Sequence, residues 1–303
     1  MTLALLRRDK GKRARRSWTN TVAATGWAES TQAEVQWGRS RGAALRWAVI
    51  GSIVGLIVGV IAFAPAAWLA NAVASATGGQ LLLADARGTI WSGSAAIVLT
   101  GGPDSRDASS LPGRLSWTAG LDGAAFRVRL RHACCLNGTV SLRVRPGFGR
   151  LSVALVPPPD GWAGQWPSAW LGGLGTPFNT LQLGGAMRVV TRGLSFETVQ
   201  GRWIMQGRAD LELLGVSSRI STLPTLGTYR LTLEGDTANP GTATLSLATL
   251  DGALQLSGAG SWSAAGVRFR GEGRAAPGNE AALSNLLNII GRRDGARTVI
   301  SIG

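Results

Sequence analysis

Between Ala48 and Ala70 the chain carries no charged residue, reading AVIGSIVGLIVGVIAFAPAAWLA. A helix over this run, rising ~1.5 Å per residue, extends roughly 33 to 35 Å and can cross a hydrocarbon layer of about 30 Å. This segment constrains the fold most, because it needs a bilayer or a large apolar core to cover it. Arg46 and Trp47 stand where an interfacial anchor belongs, and Trp68 marks the other end. Gly51, Gly55 and Gly59 recur at four-residue spacing and form a candidate helix-packing face. Residues 47–70 therefore read as a transmembrane anchor.

A cleavable signal peptide is the competing reading, since Ala72-Val73-Ala74 and Ala74-Ser75-Ala76 resemble small-residue cleavage sites. The apolar core of a signal peptide is only about 7 to 15 residues long, however, and this run exceeds it. Arg15-Arg16 stands too far ahead of the run for a twin-arginine signal.

Charge gives the orientation. Lys and Arg total 31 against 17 acids, a formal charge of +14. Arg7, Arg8, Lys10, Lys12, Arg13, Arg15, Arg16, Arg39, Arg41 and Arg46 all precede the anchor, opposed there only by Asp9, Glu29 and Glu34. The positive flank stays inside, so the N-terminus is expected in the cytoplasm and the chain beyond about residue 71 outside the cytoplasmic membrane. The tail, residues 1–46, has neither an aromatic stacking pattern nor a nucleic-acid-binding motif. It reads as a disordered, topogenic and lipid-facing segment, with no nucleic-acid partner.

Past the anchor, apolar and polar residues alternate in short runs punctuated by Gly, Asp, Asn and Pro. Phe126, Val128 and Leu130 alternate with Arg127, Arg129 and Arg131. Tyr229, Leu231 and Leu233 alternate with Arg230, Thr232 and Glu234, and Leu254 and Leu256 share a face. This period of two predicts antiparallel strands with one buried face, so the fold class is mainly β, a meander or sandwich-like arrangement behind a single N-terminal helix. Two helical exceptions stand out. WPSAWLGGLGTP, with Pro167 at its start, reads as one or two turns between strand blocks. In NEAALSNLLNIIG, Leu283, Leu286, Leu287 and Ile290 fall at i, i+3, i+4 and i+7, with Asn279 as N-cap and Gly291 as stop, predicting an amphipathic helix on the sheet. The expected organisation is a first β block over 71–160, a Trp/Pro/Gly connector over 161–178 and a second β block with the helix over 179–303.

Candidate chemistry is sparse. The single histidine, His132, ends a strand of alternating arginines, and no G-x-S-x-G elbow supplies a nucleophile. Cys134 and Cys135 are adjacent rather than spaced as C-x-x-C, a poor metal pattern; a vicinal disulfide, pairing with another chain and free thiols all remain open. No P-loop is present, GEGRAAPG misses the dinucleotide spacing, and the carboxylates are scattered singly. These features point to a binding or structural module that needs no cofactor or metal. Trp91, Trp117 and Trp203 each lie near glycines, in ARGTIWSGSAA, PGRLSWTAG and QGRWIMQG. They are read as strand-anchoring or partner-contacting aromatics, Trp91 within a strand bounded by Gly88 and Gly93.

In order along the chain, FAPAAWLA, GQLLLADARGTIWSGSAAIVL, LPGRLSW, PSAWLGGLGTPFNTLQLGGAM, LGTYRLTLEG, LDGALQLSGAGSW and LLNIIGRRDG resemble type II secretion system protein N over about residues 47 to 303. The resemblance implies a single-pass inner-membrane protein, mostly periplasmic, that helps assemble or stabilise a secretion machine. It implies contacts with other inner-membrane subunits, with the outer-membrane secretin as a further candidate, and it brings no catalytic residues. The 46-residue tail departs from the family by being longer than its members usually carry. A membrane-anchored β-trough that binds or transfers lipid is the alternative, and it requires an open apolar face.

Overall fold

The computed structural model describes residues 44–199 and 201–303. The basic tail up to residue 43, with Trp18, Trp27 and Trp37, lies outside the described residues. Two units are distinct, one ending at Ala62 and the other spanning Phe63–Gly303.

Helix α1, Ala44–Ala62, is long and apolar enough to cross a membrane, with mean hydropathy 2.1. It stops before the charge-free run ends at Ala70. Pro65 explains the stop: its ring removes a backbone donor and pushes the preceding residue out of helical geometry. A second helix, α2, starts at Ala66 and ends at Ala76, with Pro65 as its extended N-cap. Ala66 and Leu69 of α2 pack against Leu83, Ala95 and Trp117, so the last part of the expected anchor, Trp68 included, belongs to the folded body.

The body contains β1 (Leu81–Gly88), β2 (Ser92–Thr100), β3 (Ala108–Ser110), β4 (Leu115–Asp122), β5 (Ala125–His132), β6 (Thr139–Gly147), β7 (Arg150–Leu155) and β8 (Trp162–Pro167). A 3-10 segment, Ser168–Leu174, and a short helix α3, Phe178–Leu181, lead into β9 (Leu183–Val199), β10 (Arg202–Ser218), β11 (Gly227–Gly235), β12 (Thr242–Gly252), β13 (Leu254–Ser263) and β14 (Gly266–Ala275). Helix α4, Glu280–Ile290, precedes β15 (Arg292–Asp294) and β16 (Arg297–Ile302). The strands form one antiparallel sheet in the order β1-β2-β4-β5-β6-β7-β9-β10-β11-β12-β13-β14-β16-β15, with β3 on β2 and β8 on β9. The two β blocks are joined directly, because β7 pairs with β9 from Arg150↔Val199 to Ala154↔Ser195.

Register sorts the two faces. On one, Leu121, Phe126, Val144, Val153, Phe196 and Met205 stand opposite one another across β4, β5, β6, β7, β9 and β10. Further along the strands, Val189, Leu211, Leu231 and Leu247 form a second apolar row across β9 to β12. The other face is polar. There Asp122 accepts hydrogen bonds from Arg127 (2.7 Å) and Arg143 (3.1 Å), and Glu212 accepts one from Arg230 (2.9 Å). Glu212 and Arg230 stand directly across the ladder, a pairing that favours one register, while Asp122 lies diagonal to Arg127 and offsets the charges of the facing Arg127 and Arg143.

Two helices cover parts of the apolar face. At one end α2 packs as described; at the other, Leu283, Leu286 and Leu287 of α4 pack on Val216, Leu226, Tyr229 and Leu254. The i, i+3, i+4 stripe read in the sequence is the buried one, with Asn279 at the N-cap and Gly291 at the C-cap. Between the helices, Leu142, Val153, Leu155, Val189, Leu211, Leu231 and Leu247 are only half-buried.

The long β9–β10 hairpin is irregular where Gly193 and Gly207 sit, the register slipping between Gln206 and Arg208. Both glycines have positive φ, and a Cβ on Gly207 would collide with the Gly193 carbonyl, so this bulge demands glycine. Bulges add twist and bend. The bend shows in an aromatic contact: Phe196 on β9 and Trp262 on β13 have ring centroids 6.4 Å apart although β10, β11 and β12 separate their strands. On a flat sheet those two strands would run about 19 Å apart. The sheet therefore curls toward its apolar face there.

Candidate functional site

The three tryptophans take different positions. Trp91 lies in the turn between β1 and β2, not within a strand; its ring meets Phe126 at 5.9 Å and its carbonyl accepts the Ala119 N–H at 2.6 Å. The turn forms because Thr89 receives hydrogen bonds on its Oγ1 from the Trp91 and Ser92 amides. Trp117 on β4 is 3% exposed, and its indole N–H donates to the Thr89 carbonyl at 3.2 Å. Directly opposite stands Gly93, where an added Cβ would fall 2.5 Å from the Trp117 ring. One glycine of the ARGTIWSGSAA motif thus exists to receive a different tryptophan. Trp203 on β10 is 56% exposed and is not a core residue.

Cys134 and Cys135 are bonded to each other in the turn that follows β5. The turn docks on β8, where the Cys135 carbonyl accepts the Gln165 N–H at 2.8 Å. The donor atoms of His132, Cys134 and Cys135 lie within 4.8 Å of one another. With both sulfurs in a disulfide, neither is a thiolate ligand, so in this state the cluster offers a metal only the imidazole.

His132 is 4% exposed, with no hydrogen-bond partner on either ring nitrogen. Burial lowers its pKa below the ordinary 6.5. As pH falls through about 6.5, the unfolded chain takes up this proton before the folded one, so folding stability drops from there down to the depressed folded pKa. The slope is at most about 1.4 kcal/mol per pH unit for one proton. As this is the one histidine in the chain, His132→Phe should flatten stability between pH 7 and 5.5, measured by chemical denaturation at each pH.

Several of the acids described in the body are engaged structurally. Asp210, 4% exposed, accepts hydrogen bonds from Arg208 (2.9 and 3.0 Å) and from the Thr232 hydroxyl (2.6 Å). Burial acts to raise its pKa, but the Arg208 and Thr232 contacts outweigh that and the net shift is downward. Asp85 and Asp122 are also lowered, first by hydrogen bonds from Arg87 and Arg127 respectively. Carboxylates held ionised in this way knit strands and are poor proton donors at neutral pH.

Gly51, Gly55 and Gly59 lie on α1, and a Cβ at any of them meets nothing within 4 Å. A further feature was not singled out by sequence reasoning. Where the sheet curls, a pocket of about 770 Å³ opens between the β9–β10 and β13–β14 hairpins, lined chiefly by Phe196, Trp203, Met205, Pro240, Ala243 and Trp262. Its sequence trace is a pair of tryptophans one residue from a hairpin end, Trp203 and Trp262, a nonlocal pairing that only the register reveals.

Neither the curated proteins nor the solved structures include a match to this chain. The family model for type II secretion system protein N matches residues 79–300. That stretch covers β1 to β15, α4 and the first four residues of β16, so the match takes in nearly the whole sheet and its C-terminal helix, while α2 precedes it. Membership in a secretion family together with one apolar N-terminal helix fits an inner-membrane, single-pass protein. The chain belongs to the type II secretion system protein N family.

Proposed function

We propose that this protein serves type II secretion without catalysing a reaction, as an inner-membrane-tethered body that helps assemble or stabilise the machine exporting folded periplasmic proteins across the outer membrane. The family match over residues 79–300 carries the reading. The N-terminus faces the cytoplasm and the β body the periplasm, an orientation supported by the cations crowded before α1.

Two surfaces suit recruitment. The Gly51, Gly55 and Gly59 face of α1 lets another membrane helix approach closely. The free edge of β1 offers backbone donors and acceptors to a partner strand. The partners are other inner-membrane subunits of the system, with the outer-membrane secretin as a second candidate. Removing the gene should stop release of exoproteins and leave them in the periplasm, and the full chain, but not one lacking residues 44–62, should restore release. Unchanged release in the deletion strain would refute the reading.

A second reading, a membrane-anchored trough that binds or passes lipid, is supported by one observation. The apolar face continues across the strands, and between α2 and α4 its Leu and Val side chains are half-buried rather than sealed.

A further inference from the structure

We infer that the pocket between the β9–β10 and β13–β14 hairpins holds one fatty-acyl chain of a membrane phospholipid. The inference rests on the trough reading and goes beyond it by assigning the site.

The shape of the pocket follows from residue size. Ala243 lies opposite both Gly235 and Trp262, so small side chains line the floor between aromatic walls. Trp203 and Phe196 stand on the β9–β10 side and Trp262 on the β13 side, with Met205 buried between. The volume, about 770 Å³, lies within the usual range of roughly 300–1,000 Å³ for small-molecule sites. The lining is apolar apart from a few backbone groups and the hydroxyls of Thr242 and Ser263. A polar ligand such as a nucleotide or sugar would find too few partners to offset its desolvation. A flexible hydrocarbon chain needs none.

Position then selects a membrane lipid. Arg202 precedes Trp203 with no register shift between them, so its side chain projects to the opposite face of β10 and the pocket is left with apolar walls. Ala76, the last residue of α2, forms part of the pocket wall. Helix α2 has 11 residues and so spans about 17 Å, and Phe63, just ahead of it, directly follows the candidate span. The pocket therefore lies within a short helix's length of the point where the chain leaves the bilayer.

Photolabelling tests this. The full chain is reconstituted into phosphatidylcholine vesicles containing phosphatidylglycerol with a diazirine in one acyl chain, irradiated, and mapped by peptide mass spectrometry. Labelling is expected on peptides carrying Trp203, Met205 or Trp262, in addition to α1, which is the internal control for bilayer contact. Trp203→Glu, an exposed position that should leave folding intact, should lower the pocket labelling about tenfold and leave α1 labelling unchanged. Ala243→Phe, filling the floor, should do the same where a matching thermal midpoint shows it folded. Labelling elsewhere on the apolar face, at Val153 or Leu211, but not at the pocket overturns the site while sparing the trough. Labelling of α1 alone overturns both.

Discussion

Trp117→Ala should lower the unfolding free energy by about 3–5 kcal/mol, the cost of emptying a buried tryptophan site. The indole fills the space above Gly93 and joins α2 to β5 through Ala66, Leu69, Val128 and Leu130. Its N–H also satisfies the Thr89 carbonyl in the turn that carries Trp91, so the substitution loosens that turn as well. Gly93→Ala approaches the same contact from the other side, pressing a methyl group into the ring and the Arg87 carbonyl. Because neither the tryptophan nor the backbone beside it can move independently, both variants should unfold at lower denaturant. Intrinsic fluorescence during urea titration of the detergent-solubilised full chain reads the effect. A change below about 1 kcal/mol for Trp117→Ala would mean that α2 is not held through this residue.

Leu283→Ala should cost about 2–5 kcal/mol. Leu283 is 0% exposed and lies in the centre of the α4 seam, against the group that includes Tyr229 and Leu254. Tyr229 itself is fixed there, its hydroxyl donating to the Leu254 carbonyl at 3.0 Å and its pKa pushed up by burial. Weakening the seam should free α4 before the sheet unfolds, so limited proteolysis should gain a cleavage between Ala275 and Gly291 in the variant. An unaltered digestion pattern together with unaltered stability would contradict the seam. The exposed Ile289 on the opposite side of the helix, replaced by Ala, serves as the control and should be close to neutral.

Local periodicity made much of this fold legible. Alternation in AAFRVRLRH and TYRLTLEG predicts β5 and β11 with their apolar residues on one face, although in β11 Thr232 on the other face is buried more deeply than Leu231 and Leu233, and the leucine spacing with Asn279 and Gly291 predicts α4. Proline breaks what hydropathy joins. The apolar run to Ala70 reads as one helix by hydropathy alone, yet Pro65 divides it into a span and a body helix that look alike in composition. Trp91 was misplaced for a related reason: glycine can end a strand as readily as flank one, and Gly88, with positive φ, ends β1 here. The joining of Cys134 to Cys135 depended on a turn, whose conformation the sequence leaves open. The pocket could not be read at all, because Phe196 and Trp262 meet only after three intervening strands curl. Curl arises from accumulated twist and bulges, a property of the whole sheet rather than of any segment.

The most direct measurement is site-specific photo-crosslinking in living cells at native expression. A photoreactive residue is placed at Gly55 on the open face of α1 and, separately, at Leu82 on the edge strand β1. Capture of another inner-membrane subunit of the secretion system from at least one position is the result expected of a body that works by contact. If both variants still restore exoprotein release and neither captures a secretion subunit, contact through these surfaces is not how the protein works.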